Sequence, residues 1–278
     1  MKTFFEKVIE KLKDLDEVEL IMLGGSRAVS KNDQLSDYDV YVYSNRKIDI
    51  EKRKIILEES LKYYEIENKF WEEEDDGILK DGKEIEIIYR NINFIDSQFN
   101  YTFKEYKASI GYSTCMIHNV LTSKVIYDKN NIIEEYRKKY NYYPNELKKN
   151  IILQNIKLID DKMPSLSYQI KKAIKRNDII SINHRIAEYL AIYFDILFAI
   201  NERFHPGEKR LLEYLDELDI EPINAKENIK RLLESGNENS KEKIEKIDEL
   251  SIELNKLVKD MYPEYLKSKY SNIKYNLE

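Results

Sequence analysis

Gly24-Gly25-Ser26-Arg27-Ala28, then a polar loop, then Ser36-Asp37-Tyr38-Asp39-Val40-Tyr41-Val42-Tyr43 is the stretch that decides the fold of this chain. An apolar run, Val18 to Leu23, leads into the glycines and reads as a strand ending in a tight turn that opens a short helix. Tyr38 to Tyr43 reads as a second strand. Side chains two apart on a strand share a face and sit roughly 7 Å apart, so Asp37 and Asp39 can lean toward one cation while Tyr38, Val40 and Val42 face a core.

Two carboxylates brought together in a partly dry site repel each other unless a positive charge joins them. Oxygen-only ligands select hard cations such as magnesium, which keeps ligand positions open for water and substrate phosphates. The glycine turn is the complement. Without side chains at Gly24 and Gly25 the backbone can approach a triphosphate, amides at the start of the next helix point at its oxygens, and Ser26 adds a hydroxyl donor.

Outward from this stretch, Phe4, Phe5, Val8, Ile9, Leu12 and Leu15 predict an opening amphipathic helix over residues 4 to 15. A helix is expected from about Ile50 to Tyr64, then strands at roughly Glu65 to Glu72 and Lys83 to Tyr89 bracketing an acidic turn, with Asp81-Gly82 as a turn signal. Lys124 to Asp128 adds a short strand. The acidic run Glu72-Glu73-Glu74-Asp75-Asp76 reads as a solvated hairpin end.

After Tyr142-Tyr143-Pro144 the pattern is helical almost without interruption. A helix from Glu146 to Asp161 is followed by the longest one, Ile179 to Arg203, whose Ile182, Ile186, Leu190, Tyr193, Leu197 and Ile200 form the stripe of a buried bundle helix. Tyr193 and Phe194 are read as core. Lys171-Lys172-Ala173-Ile174-Lys175-Arg176 is read as a solvated basic face without functional weight, and Ser235 to Ser240 as an interhelix loop. In Asn201 to Arg210, Pro206-Gly207 separates two helices and leaves Lys209 and Arg210 in a first turn, where cations oppose the helix dipole unless an anion is near.

The chain has 278 residues, enough for two cores, and we expect domains at 1–143 and 144–278. A net charge of −6 argues against duplex nucleic acid as partner. One cysteine, Cys115, suits a reducing compartment, and no run is apolar enough to span a bilayer, so a cytoplasmic protein is expected. No Gly-x-Gly-x-x-Gly, no Gly-Lys-Ser or Gly-Lys-Thr is present, and His118, His184 and His205 are too dispersed for a zinc site.

Gly-Gly-Ser, ten intervening residues, and Asp-Tyr-Asp entering an apolar strand resemble the nucleotidyltransferase superfamily that includes DNA polymerase beta and the antibiotic nucleotidyltransferases. The resemblance implies an α+β fold: a small mixed β-sheet domain flanked by helices, followed by an all-α helical bundle, with the active site in the cleft between them. It implies two magnesium ions, about 3.5 to 4 Å apart, held by Asp37, Asp39 and a third carboxylate on a neighbouring strand. Glu86 is favoured for that place, with Glu84 on the same strand face as the alternative. In the aminoglycoside enzymes such a glutamate acts as base, so metal ligand and base are both open for it. Gly24, Gly25, Ser26, Arg27 and Ser36 are implied nucleotide contacts, and Lys209 is the counterpart of a helical-domain lysine that reaches the triphosphate.

The implied reaction moves a nucleoside monophosphate, AMP from ATP or the equivalent from another nucleoside triphosphate, to a hydroxyl of a small-molecule acceptor such as an antibiotic. Alternatives within the resemblance are transfer to a protein or tRNA, as in toxin-antitoxin pairs, and a non-catalytic nucleotide-binding module.

Overall fold

The computed structural model describes residues 2–25, 37–161, 163, 165–236 and 239–263. Its architecture is α+β, in two compact units made of residues 1–100 with 116–141 and of 101–115 with 142–278.

In the first unit, α1 (Phe4–Lys13) starts at a capping box, Thr3 and Glu6 each satisfying the other's backbone amide. The strands β1 (Val18–Leu23), β2 (Tyr38–Ser44), β3 (Leu61–Asn68), β4 (Glu74–Leu79), β5 (Glu84–Asn91) and β6 (Lys124–Asp128) form one sheet in the order β3-β4-β5-β2-β1-β6. It is mixed: β2 and β5 run parallel, the other neighbours antiparallel. A parallel pair needs a long crossover, here supplied by α2 (Ile50–Glu58), β3 and β4.

Alternation along β2 sorts the faces. Val40 and Val42, with Ile85 and Ile87 of β5, pack into the core formed with Val8, Leu12, Ile56 and Leu57 of α1 and α2. The opposite face carries Asp39, Tyr41 and Tyr43 beside Glu86, Ile88 and Arg90. There the guanidinium of Arg90 lies 4.8 Å from the Phe94 ring of α3 (Asn93–Phe103), and Asn119 of α4 (Cys115–Thr122) donates to the Tyr41 hydroxyl at 3.1 Å. The unit closes with α5 (Ile132–Lys139).

Two expectations fail between residues 59 and 79. The helix stops at Glu58 instead of continuing to Tyr64, because Ser60 turns back onto Leu57 and Leu61 enters the sheet opposite Leu79. The acidic run is not a solvated hairpin end: from Glu74 onward it is β4, an interior strand between β3 and β5, with Glu74 and Asp75 buried. Gly77 permits this crowding, since a Cβ there would lie 2.6 Å from the Tyr63 carbonyl oxygen. The Asp81-Gly82 turn is observed, joining β4 to β5.

The second unit is helical: α6 (Asn145–Ile156) running into a π-helical turn (Lys157–Asp161), α7 (Leu166–Lys175), α8 (Ile179–Ile200), α9 (Leu211–Leu215), α10 (Ala225–Glu234) and α11 (Ser240–Met261). The core is organised on α8, where Ile182, Ile186, Tyr193, Leu197 and Ile200 are buried as the stripe predicts and Phe194 with them. Tyr189 is buried where Leu190 is only partly so. Asp195, buried on α8, accepts bonds from the Ser113 amide (2.9 Å), the Ser113 hydroxyl (2.7 Å) and the Asn155 amide group (2.9 Å), fixing the 101–115 segment to the bundle. Burial of Asp195 outweighs those three bonds and pushes its carboxyl up to about 6. Among the described residues no helix is long and apolar enough to cross a membrane.

Candidate active site

The glycine bend and Asp39 are built as one piece. The Gly24 amide donates to the Asp39 carbonyl oxygen at 2.8 Å, continuing the β1–β2 ladder by one step. A Cβ on Gly24 would stand 2.4 Å from the Tyr41 ring. Gly25 has φ +61°, a left-handed conformation that L side chains rarely adopt, and a Cβ there would fall 1.8 Å from Asp39 Oδ2. The bend is therefore glycine for two reasons at once, backbone sign and the carboxylate lying against it.

On the other flank of Asp39 stands Glu86, its partner in the parallel β2–β5 register. Glu84 pairs instead with Ile78 on β4 and is exposed. Across β5, Asp76 pairs with Glu86, and Glu74 lies two residues from Asp76 on the same face. The result is a row of carboxylates across three strands, Asp39, Glu86 and Asp76, with Glu74 beside the last. Ligand atoms of Glu74, Asp76 and Glu86 come within 4.8 Å of one another, the one group of three such residues among those described.

The electrostatics follow from that crowding. Glu86 is pushed up to about 7, first by burial and then by the negative charges of Asp39, Glu74 and Asp76, and its carboxyl is hydrogen-bonded to that of Glu74. Glu74 is raised as well, again by burial first. Asp76 is held by the Asn68 side-chain amide at 2.6 Å. An all-oxygen donor set of this kind fits a hard divalent cation and fits zinc or copper poorly.

Cations brace the row without neutralising it. Arg90 binds Glu72 through both Nε and Nη2 and lies over the rings of Tyr41 and Phe94, each 4.8 Å away. Burial pushes the Tyr41 hydroxyl up to about 12. On the core face, Arg53 is buried between Glu73 (3.0 Å) and Asp75 (3.4 Å).

Of the residues expected from sequence, the structure brings together Gly24, Gly25, Asp39 and Glu86. Asp37 is exposed one residue before β2, and neither it nor Asp39 belongs to the 4.8 Å group of Glu74, Asp76 and Glu86. Ser26, Arg27 and Ser36 lie outside the described residues. Lys209 belongs to the second unit, exposed in a turn; the first turn expected there begins only after Arg210, the N-cap of the short α9. Glu74 and Asp76 were missed. The Asp81-Gly82 turn held their signal, because a hairpin turn requires a strand on its near side, and period two then puts Glu74 and Asp76 on one face.

Residues 6–85 match a family described as Polymerase beta, Nucleotidyltransferase, and residues 112–211 match a Domain of unknown function (DUF4037). No curated protein matches the chain in sequence. Among solved structures, a nucleotidyltransferase-like protein from Exiguobacterium sibiricum 255-15 is similar at 13% identity and TM-score 0.43, over 95% of this chain and 77% of that one. An aminoglycoside 6-adenyltransferase from Bacillus subtilis is similar at 13% identity and TM-score 0.33, over 95% of both chains.

Proposed function

We propose that this chain, whose residues 6–85 match the Polymerase beta, Nucleotidyltransferase family, moves AMP from ATP to a hydroxyl of a small-molecule acceptor in the cytoplasm. The observation that carries this reading is the placement of Asp39 between the glycine bend and Glu86, which joins a bend that only glycine fits with adjacent carboxylates. Asp37, Asp39 and Glu86 would hold divalent magnesium. When bound, the metal would neutralise phosphate charge and act as a Lewis acid on the transferred group.

The chain's own groups do the rest. Gly24 and Gly25 let the Tyr41 ring and the Asp39 carboxylate lie against the bend where the triphosphate would be held. The acceptor oxygen attacks the α-phosphorus, the bond to the β-phosphate oxygen breaks, and pyrophosphate leaves in line. The hydroxyl proton goes to Glu86, the carboxylate paired with Asp39 across the parallel strands. Without metal, burial and then the charges of Asp39, Glu74 and Asp76 raise the Glu86 pKa to about 7. Ser26, Arg27 and Ser36 complete the nucleotide contacts in this reading, and Lys209 serves the triphosphate.

The test is incubation of the protein with α-labelled ATP, magnesium and a panel of hydroxylated small molecules, antibiotics included. Labelled acceptor and stoichiometric pyrophosphate, both lost in Asp39→Asn, are expected. Label on a protein or RNA of a lysate, with none on any small molecule, would replace the proposed acceptor class. ATP binding without turnover, indifferent to Asp39→Asn, would overturn the enzyme reading.

A further inference from the structure

The basic segment of α7 closes a hollow in the second unit. One turn after another, Tyr168 and Lys172 of α7 and its C-cap residue Arg176 line it, and Ser181 and Arg185 of α8 face them across a cavity of about 190 Å³. Three cationic side chains therefore meet at a concave place in a chain of net charge −6. None of the three is ion-paired to a carboxylate among the described residues. Asp178 is the sole carboxylate in the lining, and its Oδ1 already accepts the Ser181 amide at 3.0 Å as the cap of α8.

Arg185 is pre-set for a ligand. Its Nε donates to Gln169 Oε1 at 3.2 Å and its Nη1 to the Ser181 hydroxyl, both neutral partners that fix the guanidinium plane. Its Nη2 makes no bond to the protein among the described residues. A planar fork held in this way suits a two-oxygen anion, and Lys172 and Arg176 add point charge and a second fork. The volume is below the range of whole drug-sized or nucleotide ligands, so the hollow accommodates a phosphoryl group with its organic remainder outside. Met163 and the Tyr168 ring give that remainder an apolar rim.

We propose that the hollow between α7 and α8 is a binding site for the phosphate group of a small phosphorylated organic molecule, separate from the carboxylate row of the first unit. It recognises a dianionic monoester, with Arg185 as the fixed anchor and Lys172 and Arg176 as the mobile cations. An acidic chain with a hollow this small favours a single phosphate over a nucleic-acid backbone, which needs an extended basic track.

The test is calorimetric titration of the full chain with phenyl phosphate in EDTA, with inorganic phosphate and a ten-nucleotide oligothymidine as comparisons. One saturable site is expected, binding phenyl phosphate more tightly than inorganic phosphate. Lys172→Gln/Arg176→Gln should weaken it at least tenfold; both residues are exposed, so an unchanged circular dichroism spectrum accompanies the loss. Arg185→Gln should weaken it likewise, Arg185→Lys should restore part of the affinity, and Asp39→Asn should leave it unchanged. Absence of saturable binding, equal affinity in the double variant, or loss in Asp39→Asn would overturn the proposal. So would oligothymidine binding more tightly than phenyl phosphate with the same sensitivity to Lys172→Gln/Arg176→Gln, which would assign the hollow to single strands.

Discussion

Gly25→Ala tests the core of the site in one atom. The added Cβ meets two separate penalties. At φ +61° an L residue is strained by about 1–2 kcal/mol. The same Cβ would stand 1.8 Å from Asp39 Oδ2 against a floor near 3.0 Å, so the carboxylate must retreat by about 1.2 Å, an overpacking that typically costs a further ~1–3 kcal/mol. Urea unfolding should therefore show Gly25→Ala destabilised by about 2–5 kcal/mol. The two parts separate in a double-mutant cycle. In an Asp39→Ala background the steric part vanishes and only the left-handed strain of about 1–2 kcal/mol remains. A displacement of this size at a reacting centre also lowers turnover by about 10²-fold. A loss under about 1 kcal/mol for Gly25→Ala, or the same loss in both backgrounds, refutes the contact between bend and carboxylate on which the proposed enzyme rests.

The remaining expectations concern charge. Because the Glu86 pKa is raised to about 7, the stability it contributes is complete below its ordinary value of 4.5 and is lost as pH rises through about 7; Glu86→Gln should flatten that part of the stability curve of the metal-free protein and remove transfer activity, and identical curves from pH 4.5 to 7 would contradict the crowding described. Asp195 follows the same sign, present below 3.8 and lost through about 6, so wild type should lose about 3 kcal/mol relative to Asp195→Asn across that window in urea titrations, against no change if the carboxyl titrates normally. Arg53→Met leaves buried Asp75 without its cation and should cost about 3–5 kcal/mol, most of it recovered in Arg53→Met/Asp75→Asn; an Arg53→Met protein as stable as wild type would dismiss the pair.

Residues 18–25 and 37–43 were legible in sequence because local chemistry and tertiary environment agree there. A six-residue apolar strand, a bend requiring glycine and a period-two strand each carry their own signal, and Gly24, Gly25 and Asp39 follow from them, whereas Glu86 was indicated only by the family resemblance. Residues 59 to 79 were illegible because their environment overrides propensity. Leu61 and Tyr64 satisfy helical spacing from Leu57 while Leu61 and Tyr63 satisfy strand alternation, and only pairing with β4 decides between them. β4 itself is a run of acids that no strand propensity favours, stabilised by partners distant in sequence such as Arg53. The 101–115 segment was likewise invisible, since its anchor, Asp195, lies 82 residues beyond Ser113.

The acidic run shows why the functional reading attaches to one face of the sheet. In sequence, Glu72 to Asp76 is a single block of charge, for which solvation is the simplest account. Strand geometry divides it. Asp75 goes to the core face, where Arg53 answers its charge. Glu74 and Asp76 go to the other face, where their neighbours are Glu86 and, beyond it, Asp39, and where no lysine or arginine is ion-paired with Glu74, Asp76 or Glu86 among the described residues. A fold that needed those acids only for stability would treat both faces alike, because an unanswered carboxylate group in a half-buried place is destabilising. With Asp75 answered on the core face, and Glu74 and Asp76 left beside Glu86 on the other face where Arg90 answers only Glu72, the run places the cost on the face that adjoins the glycine bend, where a divalent cation and a triphosphate would be the missing counter-charge and its ligand.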